Sequence, residues 1–253
     1  MVRQMQPSSE DIVFLYINSP CVVVGKNQCI YREVNFEYLC DQNTVIRRIS
    51  GGGTVYHDEG NLCFAFLSKF EDNKVNNYRY FNQPIVDILQ KAGIDAQFNS
   101  RNDIIWNDKK ISGNAQFTDR KNILSHGTIL VNTDLAKLRT ALKENPFTIE
   151  TKAVSSVRSS VMNISEASDR FKTAQELKEH LLKELPISNT ITFTDEENES
   201  INASAESKFR SFDWIWGRNP YTKISKDQLV IEIENGIVVK STEQQLIEKP
   251  FMP

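Results

Sequence analysis

In the first half of the chain the apolar residues come mostly in short runs rather than at helical spacing. Asp11–Asn18 (DIVFLYIN) is apolar on both alternating faces, which predicts a strand covered on both sides near the middle of a sheet. Ser19-Pro20 breaks it. Cys21–Val24 starts a second strand that stops at Gly25, and Val45–Ile49 reads as a third. Asn61–Ser68 (NLCFAFLS) is again apolar on both faces and is expected to be central. Asp103–Trp106, Lys110–Ser112 and Thr128–Asn132 are shorter strand candidates. Asn107-Asp108, between the first two, is a pair that tolerates tight-turn geometry and predicts a hairpin.

Helical spacing appears at Phe81–Ala92, where Phe81, Ile85, Ile88, Leu89 and Ala92 share a face and Gly93 suits the left-handed cap. Pro84 is then expected in the first turn, where a missing N–H does no harm. Thr173–Leu185 carries a Thr173/Glu176 capping pattern and a stripe of Leu177, Leu181 and Leu185. A further helix is predicted from about Glu197 to Phe209. Trp214–Tyr221 (WIWGRNPY) is rich in turn residues, and Leu229–Lys240 reads as a hairpin turning at Asn235-Gly236. Strands and helices do not alternate regularly, and the short links favour antiparallel neighbours. The predicted class is α+β, a mixed and largely antiparallel sheet flanked by helices.

The chain has 253 residues, enough for one large domain or one domain with a small appendage. A formal charge of −3 argues against a nucleic-acid partner, and no apolar run approaches the ~20 residues of a membrane span. The N-terminal residues lack the order of a secretion signal, so the expected location is cytoplasmic. Cys21, Cys29, Cys40 and Cys63 form no C-x-x-C pair. Reduced, mostly buried thiols are expected, with neither a zinc site nor a disulfide framework.

Chemistry concentrates in three segments. In Arg47–Leu62 (RRISGGGTVYHDEGNL), three consecutive glycines between apolar strands expose backbone N–H groups that no side chain shields. Such a bend suits an anion or the close approach of a flat ring. Arg48 enters it with a fork suited to phosphate or carboxylate. In Arg101–Gln116 (RNDIIWNDKKISGNAQ), a hairpin brings Lys110 back within reach of Asn102-Asp103. A lysine beside an aspartate keeps its charge and acquires a direction, fit to neutralise a phosphate. Ser125–Leu130 (SHGTIL) places Ser125, His126 and Thr128 at a strand entry, where a merely satisfied histidine is the plainer reading. Cys63 alternates as a core residue. No G-x-S-x-G elbow, Rossmann fingerprint or P-loop is present.

Together these three segments resemble the lipoate–protein ligase family in order and spacing. The likeness extends more weakly through SSVRSSVMNISE (Ser155–Glu166) and FDWIWGRNPYTK (Phe212–Lys223). The resemblance implies a class II synthetase, biotinyl/lipoyl-ligase-like catalytic domain over residues 1–223, with 224–253 as a short C-terminal segment of a truncated accessory domain. It implies that lipoate and ATP, with Mg2+ brought by the nucleotide and no protein metal site, give lipoyl-AMP. The acyl group then passes to a lysine of a lipoyl domain of a 2-oxoacid dehydrogenase E2 subunit or of the glycine-cleavage H protein. By the same resemblance Lys110 is the catalytic lysine, touching both acyl group and adenylate. Arg48, Gly53, Thr54, Val55, Tyr56, Asn102 and Asp103 serve ATP or adenylate. Gly51, Gly52, His57, Ser112, His126 and Thr128 serve lipoate. Relative to that family the chain is shorter before Glu10 and beyond Ile224.

Other readings keep the same residues. One is a lipoyltransferase fed with preformed lipoyl-AMP, and another is a non-catalytic lipoate-binding protein. An octanoyl transferase needs a cysteine nucleophile near the key lysine, and none lies between Arg101 and Leu130.

Overall fold

The computed structural model describes residues 11–40 and 44–253. Along the chain these form β1 (Ile12–Ile17), β2 (Cys21–Val24), α1 (Ile30–Glu33), α2 (Phe36–Cys40), β3 (Val45–Arg47), β4 (Val55–His57) and β5 (Asn61–Lys69). There follow α3 (Tyr78–Lys91), β6 (Gln97–Phe98), β7 (Ile104–Trp106), β8 (Lys109–Ser112), β9 (Asn114–Thr118), β10 (Asn122–Leu130) and α4 (Leu135–Ala141). The remainder is β11 (Thr148–Thr151), α5 (Ala174–Glu184), α6 (Asp195–Ser204), α7 (Phe212–Ile215), β12 (Thr222–Lys226), β13 (Leu229–Glu234) and β14 (Ile237–Ser241). The class is α+β, as the patterning implies.

Two compact units interleave along the sequence. The first takes the described part of Met1–Ser19 with His57–Leu135 and Arg158–Phe193. Its main sheet has the order β1-β5-β10-β9 and is antiparallel throughout. β5 is central and almost wholly buried, as its two apolar faces require. One face of β5, with Leu62, Phe64 and Phe66, packs against Ile85 and Leu89 of α3 and Leu177 and Leu181 of α5. β1 differs from its expectation. Among the described residues it lies at the end of the sheet, half-buried, because only β5 pairs with it. A second sheet, β6-β7-β8, carries the expected hairpin. Asn107 and Asp108 both take positive φ, 50° and 57°, the geometry of a type I′ turn.

Helix α3 starts earlier than Phe81 because the Asn77 side chain accepts from Tyr80 N–H and caps it there. Pro84 is therefore inside the helix rather than in its first turn. Gly93 follows with φ +85°, the left-handed exit expected of it. In α5, Thr173 accepts from Glu176 N–H, while the Glu176 carboxylate accepts from Lys172 N–H one residue outside the expected box.

The second unit takes Pro20–Tyr56, Ala136–Val157 and Thr194–Pro253. One sheet is β3-β2-β4, with β2 and β3 parallel. The other is β11-β12-β13-β14, antiparallel, its β13–β14 link turning at Asn235 and Gly236 with φ of 50° and 77°. The strands thus divide among four sheets rather than one. Helix α6 begins at Asp195, two residues before the expected start, because Thr194 and Glu197 form a full capping box. Tyr31, Ile224, Ile231 and Ile233 anchor one core of this unit, and Val22, Val24, Ile30 and Tyr56 another.

Candidate active site

The glycine bend belongs to the second unit and joins β3 to β4. Arg48 folds back on it. Its Nη2 donates to Gly51 O (2.6 Å) and Gly53 O (2.7 Å), its Nε to Ser50 Oγ and Gly51 O (both 3.1 Å), and its Nη1 to Val23 O (3.1 Å). Burial pulls the Arg48 guanidinium down to about 10, still charged at neutral pH. A trans peptide whose carbonyl faces Arg48 turns its N–H the other way. The Gly51–Gly52 peptide is therefore held with its donor facing away from the arginine. Gly52 takes φ +89°, which favours glycine. Gly51 has no such need, and a Cβ built on it meets nothing within 4 Å.

The exit from the bend is fixed as firmly. Thr54 N–H donates to Ser156 Oγ (2.8 Å) and Thr54 Oγ1 to Gln28 Oε1 (2.7 Å). Gln28 Nε2 donates to the same Ser156 Oγ (2.9 Å), and Ser156 N–H donates to the Glu33 carboxylate (3.2 and 3.3 Å). Val55 is half-buried on β4. Tyr56 is buried edge-on to Tyr38, so its ring is a core group. Arg47, beside Arg48, is buried among carbonyls of Gly25, Gln28 and Ile215 and the Asn219 side chain, a structural hub rather than a ligand group.

The lysine hairpin belongs to the first unit. Lys109 is exposed, whereas Lys110 is half-buried with its Nζ 2.8 Å from Asp103 Oδ1. The Lys110 backbone is held on its outer side as well. Its N–H donates to Ser160 O (2.9 Å), and its carbonyl accepts from Met162 N–H (3.1 Å). Gly113 keeps the path of the side chain open, since a Cβ there sits 3.0 Å from both Lys110 Cε and Nζ. Asn102, at φ +62°, turns its carbonyl toward Asn114 Nδ2 (3.0 Å). Ser112 is buried, its Oγ without a hydrogen-bond partner among the described residues.

From this hairpin Gly113 O accepts Thr128 N–H (3.1 Å), which ties it to β10. Thr128 lies opposite Cys63 of β5 and His126 opposite Ala65, so these four positions share the sheet face away from the main core. His57 joins them, its Nδ1 2.9 Å from Asn18 Nδ2 and 3.6 Å from Cys63 Sγ. As an acceptor from Asn18, Nδ1 leaves the proton on Nε2. None of the four cysteines is in a disulfide, and only Cys40 is exposed.

Each unit thus assembles its share of the sequence-derived residues. Arg48, Gly51, Gly52, Gly53, Thr54, Val55 and Tyr56 lie in one, and His57, Asn102, Asp103, Lys110, Ser112, His126 and Thr128 in the other. Sequence reasoning did not single out Ser156, Gln28, Asn99 or Asn114. Ser156 falls inside the weaker SSVRSSVMNISE match, and Asn114 inside the quoted SGNAQ, so both were within sight. Chemically, one unit offers backbone donors braced by a buried cation. The other offers an ammonium group aimed by a carboxylate. Both stabilise negative charge.

Comparison with known proteins agrees. Residues 1–186 match the family model of the lipoyl protein ligase A/B catalytic domain. The chain is 39% identical over 236 residues to lipoate–protein ligase 1 of Staphylococcus aureus, covering 92% of this chain and 71% of that protein. A crystal structure of lipoate-protein ligase A bound with ATP aligns with TM-score 0.72 at 26% identity, covering 84% of this chain and 88% of that one. A T. acidophilum structure with bound lipoic acid aligns at 0.71 and 26%, covering 85% and 89%. Another from the same organism, of a bi-partite lipoate protein ligase and its E2 lipoyl domain, aligns at 0.70 and 26%, covering 85% and 87%. The motifs, the fold and the matched length converge on one conclusion: this chain belongs to the lipoate–protein ligase family.

Proposed function

We propose that the chain activates lipoate with ATP and transfers the lipoyl group to a lysine of a carrier domain. The lipoate carboxylate attacks the α-phosphorus of ATP, giving lipoyl-AMP and releasing pyrophosphate. The carrier amine then attacks the acyl carbonyl, and AMP leaves. The observation that carries this reading is Lys110, half-buried, with its ammonium 2.8 Å from Asp103 and its backbone tied on both sides. Charge builds on the phosphate in the first step and on the adenylate as it departs in the second. A fixed cation stabilises both without reorganising.

In the same reading the glycine bend serves the nucleotide at Gly53–Tyr56, its exit shaped by the Thr54 N–H bond to Ser156 Oγ. At Gly51-Gly52 it supplies a flat wall for the lipoyl chain, with Arg48 bracing it from behind. In the second unit Ser156 holds the bend, and in the first Ser160 and Met162 hold Lys110. His57, His126, Thr128 and Ser112 line the acyl side, and Asn102 and Asp103 support the lysine. The chemistry passes through no covalent enzyme intermediate.

Among the described residues no group of three His, Cys, Asp or Glu is placed to hold a metal ion, and both Asp103 oxygens are engaged. Magnesium in this reading arrives on the phosphates of ATP, and no step is routed through a protein metal site. The acceptor class is a lipoyl domain of an E2 subunit, with the glycine-cleavage H protein as a second candidate, and the reaction is cytoplasmic. No helix among the described residues is long and apolar enough to cross a membrane.

Pyrophosphate release on mixing the protein with lipoate, ATP and magnesium tests activation directly. Transfer from added lipoyl-AMP with no pyrophosphate release would replace this reading with that of a transferase. Binding of lipoate without either step would make it a binding protein.

A further inference from the structure

The turn that presents Asp103 to Lys110 is wound around a side chain with no role so far. Asn99 Oδ1 accepts from the N–H of Arg101 (2.8 Å) and of Asp103 (3.0 Å). Asn99 N–H donates to Asp103 O (3.0 Å), and Asn99 O accepts from Asn102 N–H (3.1 Å). Finally, Asn99 Nδ2 donates to Asp103 Oδ2 (3.1 Å). The last bond has a chemical consequence.

A carboxylate has two equivalent oxygens and two cations nearby. Lys110 Nζ is 2.8 Å from Oδ1, and exposed Arg101 has Nη2 3.9 Å from Oδ2, beyond hydrogen-bond range. That Nη2 donates instead to Ser159 Oγ (3.0 Å). With Oδ2 occupied by Asn99, the carboxylate plane is set and Oδ1 alone faces the lysine. Free of Asn99, the carboxylate is able to rotate toward Arg101, and the ammonium loses its single direction. The far side of the turn is clamped independently by Asn114 Nδ2 on Asn102 O.

We propose that Asn99 is a positioning residue. It acts through Asp103 to hold the Lys110 ammonium in the direction that meets the acyl-phosphate. The inference rests on the role proposed above for Lys110. A purely structural Asn99 would shape the turn but leave the lysine's direction to chance.

A double-mutant cycle separates the two. Asn99→Ser keeps an oxygen to accept from the turn but has no amide donor at Oδ2. Its expected effect is a roughly tenfold fall in kcat for lipoate-dependent pyrophosphate release, with KM for ATP and lipoate changed less than about twofold. In an Asp103→Ala background the same change is expected to alter kcat less than about twofold, since its target is gone. An equal fold-loss in both backgrounds, or a raised KM at unchanged kcat, overturns the proposal. So does a lowered melting temperature with kcat intact. Should Asn99→Ser not fold, Asn99→Asp retains the oxygen that accepts both turn N–H groups. It places a like charge against Oδ2, and the same cycle is expected to hold for it. Lys110→Ala is measured alongside. Wild-type pyrophosphate release from that variant removes the underlying reading as well, whereas an inactive Lys110→Ala with an additive cycle removes only the role of Asn99.

Discussion

Gly51→Ala is the smallest change that asks whether the bend exists for the fold or for a ligand. Gly51 takes no positive φ, and an added Cβ meets no atom within 4 Å, so the folded protein admits alanine. Replacing a glycine at such a site restricts the unfolded chain, and stability is expected to rise by about 0.4–1 kcal/mol. If lipoate passes over this face, the methyl occupies its space. Forcing an extra methyl group into a filled site costs about 1–3 kcal/mol, or roughly 5- to 150-fold in Kd. Urea unfolding and calorimetric titration with lipoate measure the two effects separately. Gly25→Ala is the contrast, because its Cβ falls 2.1 Å from Gly52 O and pushes on the bend backbone itself. That variant is expected to lose stability as well as affinity. Wild-type lipoate affinity in a well-folded Gly51→Ala would refute the bend as a ligand wall. A marked loss of stability there would refute the open space.

Three further outcomes follow from the same geometry. Arg48→Met removes the donors to Gly51 O and Gly53 O and is expected to weaken both ATP and lipoate binding roughly tenfold. Unchanged affinities by calorimetry would contradict the role of Arg48 as the brace of the bend. Gly127→Ala drives a Cβ to 2.3 Å from Asn114 Oδ1 and 2.5 Å from Phe64 Cζ, and about 1–3 kcal/mol of stability should disappear in urea titration. At pH 8 a thiol reagent should label Cys40 rapidly in the native protein. Cys21, pushed up to about 11 by burial, holds only ~0.1% thiolate there and should wait for unfolding.

Much of the local geometry of the candidate site was legible because its residues sit where backbone chemistry is unusual. Three glycines in succession and a two-residue turn of Asn107-Asp108 have few uses, and the structure gives the turn the positive φ pair it implied. Central β5 was readable because both its faces are apolar. β1 looks the same in sequence yet lies at the end of its sheet among the described residues, since apolarity reports burial and not which neighbours provide it. The start of α3 was missed because its cap, Asn77, precedes residues without a clear apolar stripe. Arg48 reads as a phosphate fork in sequence. In the structure its donors brace the bend's own carbonyls, a contact that depends on loop closure. Gln28 was invisible, and the part played by Ser156 unreadable, for a related reason. Their partners are groups that only the folded loops bring near, and no spacing encodes them. Asn99 differs, since its partners lie two to four residues on in a local turn that the patterning did not single out.

The most direct measurement is the mass of a lipoyl acceptor domain after incubation with this protein, lipoate, ATP and magnesium, run beside Lys110→Ala. The expected result is one lipoyl addition with the native chain and an unmodified domain with the variant, which still folds. Equal modification by both would mean that the Lys110 ammonium does not stabilise the acyl-adenylate.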